Sequence, residues 1–246
     1  DPVADSDSIE VESQVVSVSG SFGKFAFGDI DSDAVLMTVT HTGQGGFFSA
    51  DFGMDPIDVG DLSPEGDAAI AYYTPSIGGF KAGVAYGSDG ANDTVGTLID
   101  TDTDESIGLG ASYSGDFGDA GVKIGAGYGA DVSGATSNYE ASIGAKITFG
   151  GFHVDGMYLQ TEITDIDYEQ IGIGAGYKTG PYALGIGYTM EEKDDGYEMN
   201  ILSAHADYKI GAGLTFRLSA DYGEYDPETG ASDDGFALGT VIKTKF

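Results

Sequence analysis

From about residue 67 onward the chain repeats one unit, a stretch of about ten residues in which large apolar side chains alternate with small or polar ones. Turns that are alternately short and long join the units. Eleven such stretches are read at Asp67–Thr74, Phe80–Gly87, Glu105–Ser114, Ala120–Gly129, Asn138–Phe149, Phe152–Glu162, Tyr168–Thr179, Tyr182–Met190, Tyr197–Ile210, Leu214–Gly223 and Phe236–Phe246. Two more precede them, Ile9–Ser19 and Lys24–Ile30, joined by the tight Gly20-Ser21-Phe22-Gly23. A period of two that persists from segment to segment predicts strands of a single amphipathic sheet. The fold class is therefore all-β.

Phasing the strands together tells what each face meets. One face carries Phe80, Val84 and Tyr86, then Leu109, Ile124, Ile143, Ile173, Ile186 and Leu218, with a Tyr recurring near strand ends. An apolar band bordered by aromatics is what a lipid-facing barrel wall requires. The opposite face is Gly, Ser and charge, too small to interdigitate as a sandwich core between sheets about 10 Å apart. Water is expected there, with Gly110 and Gly125 facing open space, where an added side chain alters conductance and leaves folding nearly intact. No run of eighteen apolar residues occurs, which excludes a transmembrane helix and leaves a β-barrel open.

Asp31 to Asp67 does not read as strand and turn. It holds Asp31, Asp33, Asp51, Asp55, Asp58, Asp61, Glu65 and Asp67 with no Lys or Arg, and His41. It is expected to fold into the lumen of the barrel and to set how wide and how negative the channel is. Leu36–Thr42 and Phe47–Phe52 are candidates for an extra hairpin within it. The basic residues Lys24, Lys81, Lys123, Lys146, Lys178, Lys209, Arg217, Lys243 and Lys245 phase to the polar face, and Lys193 falls in a long link. A cationic wall opposite an acidic loop predicts a transverse field across the pore. The acidic start, residues 1–8, carries no pattern and is expected to be mobile.

Charge and composition exclude other classes. With 41 acidic against 10 basic residues the net charge is −31, which disfavours nucleic acid and anionic membrane surfaces and suits cations. There is no Cys, hence no disulfide, thiolate metal site or thiol nucleophile. His41, His153 and His205 lie far apart, no Ser sits in a nucleophile elbow, and runs such as Gly172-Ile173-Gly174-Ala175-Gly176 fall inside a strand, not before a helix. No enzyme activity and no required cofactor is predicted. Asp55, Asp58, Asp61, Asp100, Asp102 and Asp104 are candidate Ca²⁺ ligands. Two alternatives stand beside a diffusion channel: a secreted acidic Ca²⁺-binding β-roll or adhesin, for which a nine-residue Gly-Gly-x-Gly-x-Asp period is lacking, and a substrate-specific outer-membrane channel, whose aromatic track would have to face inward.

The segment Val16-Ser17-Val18-Ser19-Gly20-Ser21-Phe22-Gly23-Lys24-Phe25-Ala26-Phe27-Gly28-Asp29 resembles the strand–turn–strand that precedes the constriction loop in general porins of Gram-negative bacteria, those of photosynthetic α-proteobacteria above all. The ending Val241-Ile242-Lys243-Thr244-Lys245-Phe246 resembles the terminal strand whose last Phe, here Phe246, the outer-membrane assembly machinery reads. The resemblance covers Glu10 to Phe246. It implies a sixteen-stranded homotrimeric barrel in outer-membrane lipid, narrowed by a long inserted loop and passing small hydrophilic solutes and ions. The acid excess adds moderate cation selectivity. Thirteen strands are read where the family has sixteen, so three amino-terminal strands, about 45–60 residues, are expected to lie outside this sequence.

Overall fold

The computed structural model describes residues 15–28, 30, 35–42, 68–89, 104–132, 138–194 and 196–244. Within them run thirteen strands: β1 Val15–Gly20, β2 Gly23–Gly28, β3 Ala68–Tyr73, β4 Phe80–Asp89, β5 Asp104–Phe117, β6 Ala120–Asp131, β7 Tyr139–Phe149, β8 Phe152–Ile163, β9 Ile166–Thr179, β10 Tyr182–Lys193, β11 Tyr197–Gly211, β12 Leu214–Pro227 and β13 Asp233–Thr244. They form one sheet in chain order, each strand antiparallel to its sequence neighbour. Among the described residues β1 and β13 pair on one side only.

The register brings like faces together. Phe80, Ala82, Val84 and Tyr86 lie opposite Tyr113, Ala111, Leu109 and Ile107, and Leu184, Ile186 and Tyr188 opposite Tyr177, Ala175 and Ile173. These side chains project away from the protein: Ile143, Ile173 and Leu238 are 52%, 57% and 68% exposed. Aromatics stand six residues apart on single strands, as Phe80 and Tyr86, Phe152 and Tyr158, Tyr182 and Tyr188, and Phe216 and Tyr222. That spacing sets two aromatic belts about 20 Å apart along the strand, with an aliphatic band between. Ring pairs across neighbouring strands build the belt at the short-turn edge: Phe25 with Tyr72 and Phe80 with Tyr113, both at 4.7 Å, and Phe152 with Tyr177 at 4.2 Å.

Burial is inverted relative to a soluble protein. Glu140, Asp155, Glu191, Asp221, Gln170 and Thr161 are buried on the polar face beside Leu36, Leu159 and Met199.

The turns at the short edge follow the glycines. Gly150-Gly151 connects the Phe149–Phe152 pair with φ of 56° and 89°, a left-handed path that glycine adopts without strain. Three features differ from the sequence expectation. Residues 163–167 are no long link: Ile163 pairs with Ile166, and Thr164-Asp165 makes a two-residue turn with φ of 54° and 63°. The strands β10, β12 and β13 run past the apolar alternation, so that Glu192 pairs with Glu198 and Tyr225 with Asp233. Residues 36–42 are not a strand; a helical turn at 35–36 gives way to irregular chain outside the sheet, with Met37 at a φ of 56°.

Thr164 is β-branched in a conformation that costs such residues about 1–3 kcal/mol, and its backbone N–H donates to Asn138 Oδ1 at 2.9 Å. Thr164→Asn retains that bond and relieves the strain. It is expected to raise unfolding stability by about 1 kcal/mol, read as an upward shift of the urea midpoint of the folded protein.

Candidate functional site

The polar face is not open where the sequence left it so. Residues 35–42 cross it from β5 to β10, and their backbone rests directly on glycines. A Cβ added at Gly110 would stand 1.9 Å from the Val35 carbonyl oxygen, at Gly125 1.9 Å from that of Met37, and at Gly144 1.8 Å from that of Val39. At Gly172 it would strike the His41 ring at 2.1 Å, and at Gly174 the Thr42 backbone N at 2.8 Å. Gly110 and Gly125 are thus the seat of a second layer of chain. The expectation that side chains fit there without disturbing the fold is overturned.

Polar anchors fix the segment along this seat. Thr38 shares a hydroxyl–hydroxyl bond with Ser142 at 2.6 Å. Asp155, buried on β8, accepts the Thr42 N–H at 2.6 Å on one oxygen, and on the other the Thr42 hydroxyl at 2.8 Å and the Lys146 ammonium at 3.1 Å. His153 Nε2 meets the Thr42 hydroxyl at 2.9 Å. His41 bonds Thr189 Oγ1 through Nε2 at 2.9 Å. Burial holds the His41 imidazole below the ordinary histidine range against the opposing pull of the Asp155 charge, so it is neutral at pH 7.

Below the segment, toward the short turns, lies a cavity of about 1060 Å³. Its wall includes Lys24, Lys81, Lys123 and Lys146, and its roof is residues 37–40. Four of the cations singled out from sequence are therefore brought together. The others are not: Arg217 is held by Asp207 in a two-point ion pair at 2.6 and 2.8 Å, and Lys209 and Lys243 both lie opposite Thr215.

Asp31, Asp33, Asp51, Asp55, Asp58, Asp61, Glu65, Asp67, Asp100, Asp102, Lys245 and Phe246 lie outside the described residues. Asp104 opens β5 opposite Asp89. No group of three or more acidic or His side chains is placed to hold a metal ion among the described residues. Sequence reasoning missed Thr42, Ser142, Asp155 and Thr189 as anchors. The available signal was glycine recurring at every second residue, as at Gly172 and Gly174, on the face that the acidic stretch was expected to cover.

The Gram-negative porin family matches residues 6–230. The chain belongs to that family. Its members place it in the bacterial outer membrane. It is 30% identical over 184 residues to the outer membrane porin protein 32 of Delftia acidovorans, covering 69% of this chain and 47% of that protein, so this chain spans about half the length of that relative. The fold matches the anion-selective porin of Comamonas acidovorans at 18% identity, with a TM-score of 0.62 over 94% of this chain and 76% of the other. It also matches the in-vitro folded trimer form of OmpT, an outer membrane protein of Vibrio cholerae, at 20% identity and a TM-score of 0.57 over 93% and 79% of the two chains.

The seat predicts two phenotypes. Gly144→Ala leaves the ladder of this porin intact but forces the Val39 carbonyl away, so proteinase K is expected to cut residues 35–42 faster in the folded protein. Asp155→Ala removes three charge-assisted bonds and leaves Lys146 unpaired. With each such bond worth about 1.5–3 kcal/mol, the same digestion is expected to accelerate more strongly than in Asp155→Asn, which keeps one acceptor for Thr42.

Proposed function

We propose that this porin is a passive diffusion channel for small hydrophilic solutes and ions, assembled as a homotrimer in outer-membrane lipid. One observation carries the proposal: a single sheet presents exposed aliphatic and aromatic side chains on one face while residues 35–42 are tied across the other. A wall of that kind separates lipid from a water-filled lumen, and chain laid across its inner side narrows the passage. The description of the Vibrio cholerae relative as a trimer form supports the same assembly here.

Cation selectivity is the finer part of the proposal. The chain carries 41 acidic and 10 basic residues, and charges in a lumen with low-dielectric walls concentrate counter-ions. The stretch from Asp31 to Asp67 contributes eight of these carboxylates, and as the continuation of residues 35–42 it is assigned to the constriction. A moderate preference for small cations follows, strongest at low salt.

The test is the zero-current potential of reconstituted channels in a KCl gradient. The native porin is expected to take the cation sign. Replacing Asp51, Asp55, Asp58 and Asp61 together by Asn is expected to move it toward the anion side, most at about 0.01 M salt, where the Debye length is about 30 Å. An anion sign in the native porin, or a potential that does not move, refutes the assignment of selectivity to this stretch.

A further inference from the structure

We propose that the cavity beneath residues 37–40 is a docking station for polyvalent oxyanions, and for phosphorylated small solutes in particular, a proposal that presupposes the channel described above. Lys24, Lys81, Lys123 and Lys146 line this cavity, and no Asp or Glu is among the described residues that do.

Lys24 lies over the Tyr73 ring, 5.5 Å from its centroid, and Lys146 is ion-paired with Asp155, but Lys81 and Lys123 make no such contact among the described residues. Lys123 and Lys146 are direct partners across β6 and β7, and like charges in that position destabilise a sheet. Lys146 is relieved by Asp155 on its other side. Neither Lys81 nor Lys123 makes an ion pair among the described residues: Lys81 faces Ser112, and Lys123 faces Ser114 and Lys146, with Asp116 on the same wall toward the short turn. Carboxylates are not scarce in this chain, which has 41, and elsewhere on the same face Asp207 discharges Arg217. Leaving Lys81 and Lys123 unpaired inside a concavity therefore keeps positive potential available to a solute.

The chemistry of the wall selects the ligand class. Lysine ammonium groups act as mobile point charges, which suits phosphate oxygens presented at varied angles and permits release, whereas a rigid bidentate Arg site would hold one geometry. The hydroxyls of Thr40 and Ser114 add neutral donors to the same wall. A volume of about 1060 Å³ exceeds what one inorganic phosphate needs and admits a hydrated sugar or nucleoside phosphate. A monovalent anion can engage the lysines one at a time and gains little from their proximity.

Tripolyphosphate, added to reconstituted channels conducting KCl, tests the proposal. It is expected to interrupt the potassium current at concentrations where acetate has no effect, and higher KCl is expected to weaken the block through screening. K81Q and K123Q are each expected to raise the half-blocking concentration, and the double variant to raise it about tenfold or more. K81R/K123R keeps both charges and is expected to keep the block, while K178Q, outside the cavity, leaves the half-blocking concentration unchanged. Heat-modifiable migration on a denaturing gel confirms that each variant is folded. A conducting porin that tripolyphosphate does not block, or an equal block in K81Q/K123Q and the native protein, overturns the docking station. Folded protein with no KCl conductance at all speaks against the channel itself.

Discussion

A backbone N–H or C=O left unpaired in hydrocarbon costs several kcal/mol, and the architecture of this porin answers that constraint first. From β2 to β12 each strand pairs on both sides with its sequence neighbours in unbroken order, and among the described residues β1 and β13 pair on one side. Because the partners are neighbours in the chain, two-residue turns such as Gly150-Gly151 suffice at one edge. The ladder needs no side chains for its coherence. One face is thereby free to be greasy and the other to be nearly bare.

That bareness is what lets residues 35–42 lie where they do. The period of two that turns Ile171, Ile173 and Ala175 outward turns Gly172 and Gly174 inward, and the same holds for Leu109 beside Gly110 and Ile124 beside Gly125. Without Cβ atoms the sheet admits another main chain at contact distance. The polar side chains of the crossing segment bond to the wall, Thr42 to Asp155 and His153, Thr38 to Ser142 and His41 through Nε2 to Thr189, while the buried His41 Nδ1 has no partner among the described residues. Asp155 is the centre of this arrangement, since the same carboxylate also neutralises Lys146 on the cavity wall. The seating of the segment and the charge of the cavity are coupled through one side chain.

The strands were legible in the sequence because the apolar face takes only every second residue, and their ends were not because the apolar band ends before backbone pairing does. Glu191 to Lys193 and Glu224 to Pro227 interrupt the apolar alternation, yet they continue β10 and β12 above the apolar band. The turn at Thr164-Asp165 escaped notice because a β-branched residue is a poor signal for a left-handed conformation. The polar face was correctly phased and wrongly filled. A glycine facing water and a glycine beneath a second backbone leave the same mark in a sequence, and only the path of residues 35–42 distinguishes them. Leu36–Thr42 has the apolar content of a strand, but it lies across the strands instead of joining them, tied to the wall by its side chains and by the Thr42 N–H.

Charge is distributed on two length scales, and they act oppositely. The acid excess of the chain is a far field that reaches over a Debye length, about 8 Å at physiological ionic strength and longer in dilute media. The lysines of the cavity are a near field, felt within a few ångströms by whatever passes residues 37–40 on the side of the short turns. A small cation is drawn by the first and has little reason to approach the second. A polyvalent anion is opposed by the first, but once past it can touch several ammonium groups at once, among them two, Lys81 and Lys123, that make no ion pair among the described residues. The proposed cation selectivity for monovalent salt and the proposed affinity for a phosphorylated solute therefore rest on different residues and differ in their sensitivity to salt.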